Sequence, residues 1–262
     1  MEERWKEKKF IIVSHRGFWG GNIIQNTIES ARIAYLSGAD MVEVDLCRSK
    51  DGHYYCFHDG NEKLLLGEDR PFSQWTKDEI DSRDLINSTG GFSGKTLENW
   101  DDYLKIVARE VIINLDRSWI YWKDGFLDEL AEKPESKRVL LKSPVSEELL
   151  SLIGEHEGLY YMPIVSTMEE VEQVFKQLKP YAMEIIADSV DAPLWRKDVL
   201  DQIRQEGVLL YGNLEKLSKS RVLLAGWDDD IFLEKKVHLD PLLERGFRIL
   251  QTDWPHLLNR YR

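Results

Sequence analysis

Two histidines, an arginine and two carboxylates lie at or near the ends of short apolar runs close to the start of the chain. They are His15, Arg16, Glu43, Asp45 and His58. Carboxylates can hold a divalent cation, and two imidazoles can supply an acid and a base near neutral pH. A guanidinium binds phosphate oxygens through charged hydrogen bonds. Together these side chains are sufficient to bind a metal and to cleave a phosphodiester by acid–base chemistry.

The two carboxylates lie two residues apart in the apolar segment Met41–Leu46. Residues i and i+2 of a strand share a face, so Glu43 and Asp45 are expected to project the same way. Two carboxylates on one buried face repel each other and lose hydration, and a cation between them relieves both costs. Hard oxygen ligands favour Mg²⁺ or Ca²⁺ over Zn²⁺. The segment therefore predicts a divalent cation site.

A turn signal after this strand predicts that the chain doubles back on itself. The dipeptide Asp51-Gly52 is a strong hairpin signal, and a turn there places position 58 opposite position 45. Directly opposed residues of an antiparallel pair project from the same face, so we expect His58 beside Asp45. A shift of one residue in this pairing would turn His58 away.

The order and spacing of these motifs resemble the glycerophosphodiester phosphodiesterase family. The motifs are His-Arg-Gly, Asn-Thr, Gly-Ala-Asp, Glu-x-Asp, Asp-Gly and His-Asp over residues 10–60, and the segment 246–255 resembles the family's closing strand. The resemblance implies a TIM barrel that hydrolyses glycerophosphodiesters to an alcohol and sn-glycerol 3-phosphate with a divalent cation, Ca²⁺ or Mg²⁺. The attacking group, a substrate hydroxyl or a water, stays open.

The resemblance also implies a role for each of the side chains named first. His15 and His58 are implied as the general acid–base pair, and we expect His15 to be the base and His58 the acid. Arg16 is implied as a phosphate ligand. Glu43 and Asp45 are implied as metal ligands.

The chain departs from the family pattern around the substrate. Gln25 stands where the family usually has a glutamate, and Val111–Arg117 replaces a Glu-x-Lys strand. Asn114 and Asp116 are both candidates for the third metal ligand, and we favour Asp116 because it brings negative charge. Two alternatives follow: a phosphodiesterase for a sugar diester or a lysophospholipid headgroup, and a non-catalytic member that binds phosphorylated ligands.

Eight strand-like runs alternate with helix-like segments along the 262 residues. They cover 10–13, 41–45, 111–115, 139–142, 160–164, 183–187, 208–211 and 248–251. This alternation predicts a parallel α/β fold, a TIM (β/α)8 barrel. Residues 60–98 break the rhythm and are expected to form a small insertion after the second-strand hairpin, as one wall of the pocket. We expect residues 1–262 to form a single phosphodiesterase domain, and Asn26 to cap the helix within 24–36.

Chemistry in such barrels lies at the carboxyl ends of the strands. Lys142 ends one run, where it is expected to contact phosphate or the metal site, or to pair with Glu184 in the barrel interior. Trp254 follows the last run and is expected to contact the substrate through its aromatic face. The acidic run Asp228–Asp230 is expected to be a solvated loop.

The charge of the chain limits the kinds of molecule that it is expected to bind. The net charge is −12 and the pI about 5.1, which argues against nonspecific nucleic-acid binding and against anionic membranes. A small-molecule phosphodiester is therefore the expected partner. The charged residues 1–9 lack the apolar core of a signal peptide, and no run is long enough for a membrane span, so a cytoplasmic location is expected. Cys47 and Cys56, opposed in the predicted hairpin, are expected to be reduced.

Overall fold

A computed structural model describes residues 7–107, 109–218, 221–234 and 238–262. Within these residues, eight parallel strands close into a barrel because β1 pairs with both β2 and β9, and β3 is an antiparallel arm on β2. The strands are β1 (Ile11–Ser14), β2 (Met41–Arg48), β3 (Tyr54–Cys56), β4 (Ile112–Asp116), β5 (Val139–Pro144), β6 (Tyr160–Val165), β7 (Ala182–Ile185), β8 (Leu209–Asn213) and β9 (Phe247–Thr252). The predicted TIM barrel is confirmed, with strand ends that differ by a few residues.

Helices connect the strands on the outside of the barrel. They are α1 (Ile28–Leu36), α2 (Glu62–Leu65), α3 (Lys77–Asp81), α4 (Trp100–Ile106), α5 (Phe126–Ala131), α6 (Glu147–Gly154), α7 (Met168–Gln177), α8 (Lys197–Gln205), α9 (Asp240–Glu244) and α10 (Pro255–Leu258). In the part of the chain that the structure describes, no helix is long and apolar enough to cross a membrane.

The helix α1 begins differently from the prediction. Thr27 is its N-cap, and the Thr27 and Ser30 side chains each accept a hydrogen bond from the other residue's backbone N–H. The prediction that Asn26 caps this helix is wrong, because Asn26 has left-handed backbone (φ 58°) and its amide is directed at Asp45 instead. Sequence preference alone does not separate the two, since both residue types are favoured caps.

Alternation along the strands divides the core into two layers. Inward side chains such as Val13, Met41 and Ile249 fill the barrel, whereas Ile12 and Val42 belong to the layer beneath the helices. The strands are thus covered on two faces, as expected of a parallel barrel. Polar side chains inside the barrel are therefore costly unless they are paired.

The β2–β3 hairpin is shifted by one residue from the predicted pairing. Leu46 pairs with Cys56 and Cys47 with Tyr55, because the Ser49 N–H donates to His53 O across a three-residue loop rather than a two-residue one. Gly52 takes the left-handed position (φ 91°) that this loop requires. The prediction that the two cysteines oppose each other is wrong: both thiols are free and buried, and they pack in different clusters.

The segment 60–98 has apolar contacts of its own. Leu65, Phe72, Trp75 and Ile80 pack with hairpin residues, including Tyr55. This cluster fixes the segment onto the hairpin arm, beside the carboxyl ends of the barrel strands.

Candidate active site

Three carboxylates converge at the carboxyl end of β2 and β4. The parallel register places Asp45 beside Asp116, and Glu43 beside Asn114 one layer deeper. One oxygen from each of Glu43, Asp45 and Asp116 lies within 4.8 Å of the other two. Asn114 is instead held by interior hydrogen bonds, from its amide to Leu140 O (3.1 Å) and from Tyr211 Oη (3.3 Å). The Asp116 carboxylate thus lies with the two β2 carboxylates, and the choice of Asp116 over Asn114 as third ligand stays a prediction.

The two β2 carboxylates differ in protonation although both are buried. Burial, and then the charge of Asp45, raises the pKa of Glu43 to about 8. Burial also opposes ionisation of Asp45, but Arg16, His58 and the Asn26 hydrogen bond outweigh it and lower the pKa of Asp45. Burial therefore shifts Glu43 towards its protonated form, and a cation bound here would favour the carboxylate.

The loop after β1 holds the guanidinium of Arg16 over this cluster. Arg16 has left-handed backbone (φ 52°), and its N–H donates to Glu43 Oε2 at 2.9 Å. The guanidinium donates through Nη1 to Gln25 Oε1 (2.9 Å), and its Nε lies 3.1 Å from Asp45 Oδ2. A Cβ at the next residue, Gly17, would approach Ser30 Oγ to 2.3 Å, so only glycine fits there. The neutral side-chain amide of Gln25 thus helps to orient the Arg16 guanidinium.

His15 is surrounded by carboxylates. Its Nδ1 lies 2.9 Å from Asp253 Oδ1, and its Nε2 lies 3.5 Å from Glu215 Oε2 and 4.0 Å from Glu43 Oε2. Burial alone would lower the pKa of His15, but Asp253, Glu43 and Glu215 outweigh it and raise that pKa to about 9. The imidazole is therefore held as an imidazolium near neutral pH.

Two of the groups that organise His15 lie in the loop after β8 and were not singled out as site residues from the sequence. Glu215 contacts the imidazole directly. Asp229 is buried, and it accepts hydrogen bonds from Thr252 Oγ1 (2.5 Å) and from the Asp253 N–H (2.9 Å). The prediction that Asp228–Asp230 is simply a solvated loop is wrong for Asp229, which fixes the backbone that carries Asp253. The only sequence signal was an acidic residue shortly after a strand.

His58 lies in a different electrostatic setting. It follows the end of β3, and its Nδ1 is 2.6 Å from the carbonyl oxygen of Asp59. Burial and the charges of Arg16 and Arg117 lower the pKa of His58, against the opposing charge of Asp45. Arg117 contributes because it is ion-paired with Asp59 and its Nε lies 3.6 Å from Asp45 Oδ1. The prediction that His58 lies directly opposite Asp45 is wrong, because Phe57 takes that position and donates its N–H to Asp45 O. His58 is nevertheless within electrostatic range of Asp45.

The remaining predicted site residues, Lys142 and Trp254, differ in exposure. Lys142 is buried with its Nζ 2.6 Å from Asp116 Oδ2 and 3.5 Å from Glu184 Oε2, so the predicted pairing with Glu184 is confirmed. Trp254 is 47% exposed just past β9, with its ring 6.1 Å from that of His256. The roles of both residues toward substrate stay predictions.

The chain is similar in sequence to known phosphodiesterases. The family model of the glycerophosphoryl diester phosphodiesterase family matches residues 15–212. A glycerophosphodiester phosphodiesterase from Caldanaerobacter subterraneus subsp. tengcongensis is 26% identical over 125 residues, which are 47% of this chain and 51% of that protein. The matched region thus spans about half the length of this curated relative.

Solved structures share the fold over nearly the whole chain. A glycerophosphodiester phosphodiesterase from Thermotoga maritima is 21% identical with a TM-score of 0.67, and the match covers 97% of this chain and 98% of that one. A phosphodiesterase from Oleispira antarctica, in complex with the product sn-glycerol-3-phosphate, is 16% identical with a TM-score of 0.69, covering 95% of each chain. At these identities the likeness establishes the barrel and not the substrate.

Proposed function

Because the chain belongs to the glycerophosphoryl diester phosphodiesterase family, we propose that it hydrolyses glycerophosphodiesters to an alcohol and sn-glycerol 3-phosphate. The observation that carries the proposal is the cluster of Glu43, Asp45 and Asp116, with ligand oxygens within 4.8 Å of one another. His15, Arg16 and His58 all lie close enough to shift the pKa of Asp45. The product bound to the Oleispira antarctica relative supports the same substrate class.

The carboxylate cluster suits Ca²⁺ or Mg²⁺ by its chemistry. Three hard oxygen donors without sulfur or a directly grouped imidazole match the preference of these cations. When bound, the cation would neutralise a nonbridging phosphate oxygen. The residues that would hold it are Glu43, Asp45 and Asp116.

The protein's own side chains supply binding and proton transfer. Arg16 donates hydrogen bonds to the phosphate. His15 protonates the leaving oxygen as an imidazolium, and neutral His58 removes a proton from the attacking oxygen. The surroundings favour these roles, the reverse of those expected from the sequence, because Asp253 and Glu215 stabilise the charged form of His15 whereas Arg16 and Arg117 oppose that of His58.

A second candidate is a diester with a bulky leaving group, such as a lysophospholipid headgroup or a sugar. A cavity of about 410 Å³ lies between the insertion and the loop after β4, and Asp59, which follows His58 in the chain, is one of its lining residues. Phe72, Ile120 and Tyr121 line it with apolar surface. On this proposal the insertion is a wall of the pocket within a single phosphodiesterase domain.

A turnover assay with a panel of diesters tests the proposal. Glycerophosphocholine, glycerophosphoethanolamine, a lysophospholipid and bis-p-nitrophenyl phosphate are compared, with sn-glycerol 3-phosphate measured directly. We expect release of sn-glycerol 3-phosphate that stops in excess EDTA and returns with Ca²⁺ or Mg²⁺. Glu43→Gln and Asp45→Asn should abolish it. Undiminished turnover in EDTA contradicts the metal role, and no turnover of any diester favours a non-catalytic binding protein.

A further inference from the structure

Lys142 lies between the carboxylates of Asp116 and Glu184 at the edge of the candidate metal site. Its Nζ is 2.6 Å from Asp116 Oδ2, a hydrogen-bonding distance, and 3.5 Å from Glu184 Oε2, a longer ionic contact. Asp116 and Lys142 lie on the adjacent strands β4 and β5, Glu184 lies on β7, and β6 separates β7 from β5. The side chains of Lys142 and Glu184 are each 4% exposed. The ammonium therefore has two carboxylates within reach and is much closer to one of them.

Glu184 has unused capacity to accept a hydrogen bond. Its Oε1 accepts from Asn213 Nδ2 at 3.4 Å. Its Oε2 is buried and, among the described residues, has no hydrogen-bond partner. A buried acceptor in this state is destabilising, and buried polar groups are nearly always paired. A small displacement of the Lys142 ammonium would complete this pair.

A divalent cation and an ammonium compete for Asp116. Asp116 is the carboxylate that the cation would share with Glu43 and Asp45, and it is also the closer partner of Lys142. Two positive charges around one carboxylate repel each other, most strongly in a buried site. The neighbouring carboxylate of Glu184 offers the ammonium a position further from the cation.

We propose that the Lys142 ammonium pairs with the Asp116 carboxylate in the metal-free protein, and that it pairs with the Glu184 carboxylate when the cation binds. The inference rests on the metal site of the proposed function and assigns Lys142 and Glu184 as positioning residues that set metal affinity. Without the cation, Lys142 offsets the repulsion among the clustered carboxylates. With it, the Lys142–Glu184 pair keeps the ammonium charged and away from Asp116.

Isothermal titration of the metal-stripped protein with Ca²⁺ alone, and with Mg²⁺ alone, tests this exchange. Glu184→Gln should weaken metal binding by about 10–100-fold, the range typical of residues that position metal ligands. Lys142→Met should tighten it, because the competitor is removed. The double variant should bind as Lys142→Met does, because Glu184 acts only through the lysine. Glu172→Gln, which removes an exposed helical charge that pairs with Lys176, is the control and should change nothing.

The outcomes separate this inference from the function on which it rests. If the wild type binds neither cation, the metal site of the proposed function is wrong. If the wild type binds and Glu184→Gln binds equally well, only the exchange is wrong. The exchange is also overturned if Glu184→Gln weakens metal binding as much in the Lys142→Met background as in the wild type. Glu184 would then act directly by its charge and not through the lysine. Thermal unfolding checks that each variant is folded, and Lys142→Gln replaces Lys142→Met if the latter is not.

Discussion

The two histidines of the site lie in opposite electrostatic surroundings. Three carboxylates, Asp253, Glu215 and Glu43, face His15, and its pKa is raised to about 9. His58 lies near two guanidinium groups, those of Arg16 and Arg117, and its pKa is lowered. One side of the site therefore stabilises an imidazolium and the other a neutral imidazole.

This difference matters because acid–base catalysis needs one group with a proton and one without. Two identical imidazoles at neutral pH would both be partly charged, and only a fraction of molecules would be ready to react. Surroundings that raise one pKa and lower the other determine which imidazole carries a proton and which does not. The carboxylates that do so for His15 come from the loop after β8 and the end of β9, far in sequence from the motifs around residues 10–60.

The largest expected effect is the loss of either imidazole. His15→Ala and His58→Ala should each lower turnover by about 10²–10⁴-fold, the usual contribution of a general acid or base. The double variant should lose much less than the product of the two, because both act on one transition state. An aryl diester with a good leaving group should partly rescue His15→Ala, the variant lacking the acid, and not His58→Ala. Rescue of His58→Ala alone would reverse the roles.

The second expected effect is on stability and concerns the metal-free protein. The pKa of His15 is raised from 6.5 to about 9, so its contribution is fully present below pH 6.5 and is lost as the pH rises through 9. The pKa of Glu43 is raised from 4.5 to about 8, so its contribution to the free energy of unfolding also falls as the pH rises between these values. In EDTA the free energy of unfolding should therefore fall as the pH rises.

A comparison with His15→Asn isolates the histidine from the other titrating groups. Denaturant unfolding of both proteins from pH 6 to 10 should show a difference that shrinks by roughly 3 kcal/mol across the interval, from 1.36 kcal/mol for each pKa unit. A difference that stays constant with pH would show that the carboxylates do not stabilise the imidazolium.

A smaller effect is expected for the residue that holds Asp253. Asp229→Ala removes the acceptor of the Thr252 and Asp253 hydrogen bonds. We expect kcat to fall by about tenfold with little change in KM, less than the roughly 10²-fold loss that a displacement of about 1 Å can cause. Asp230→Ala, at an exposed position ion-paired with Lys216, is the matched control and should leave kcat unchanged. Equal effects of the two variants would indicate a general disturbance of the loop.

The sequence predicted the barrel and the close approach of Glu43, Asp45 and Asp116 for identifiable reasons. Apolar runs with β-branched residues are a local signal, and each of the eight lies on a strand. The choice of Asp116 over Asn114 followed from charge alone and stays a prediction, because the register of β2 on β4 places each of them beside one of the β2 carboxylates. Local sequence pattern was sufficient to predict the strands and the shared face of Glu43 and Asp45.

The errors arose where geometry depends on contacts distant in sequence or on loop length. The hairpin pairing shifted because the loop has three residues and not two, which a two-residue turn signal does not reveal. Glu215 and Asp229 reach His15 and Asp253 only because β9 lies beside β1, and β8 beside β9, in the closed barrel. The contact of Lys142 with Asp116 depends likewise on adjacent strands.

The central claim is that His15 holds its proton more tightly than His58, and an NMR titration of the imidazole nitrogens measures this directly. The spectra would be recorded from pH 5 to 10 with and without Ca²⁺, and assigned with His15→Asn and His58→Asn. We predict that His15 in the metal-free protein titrates near pH 9 and His58 below pH 6.5, and that His15 stays the more basic with Ca²⁺ bound. A His58 imidazole that titrates above His15 would contradict the account.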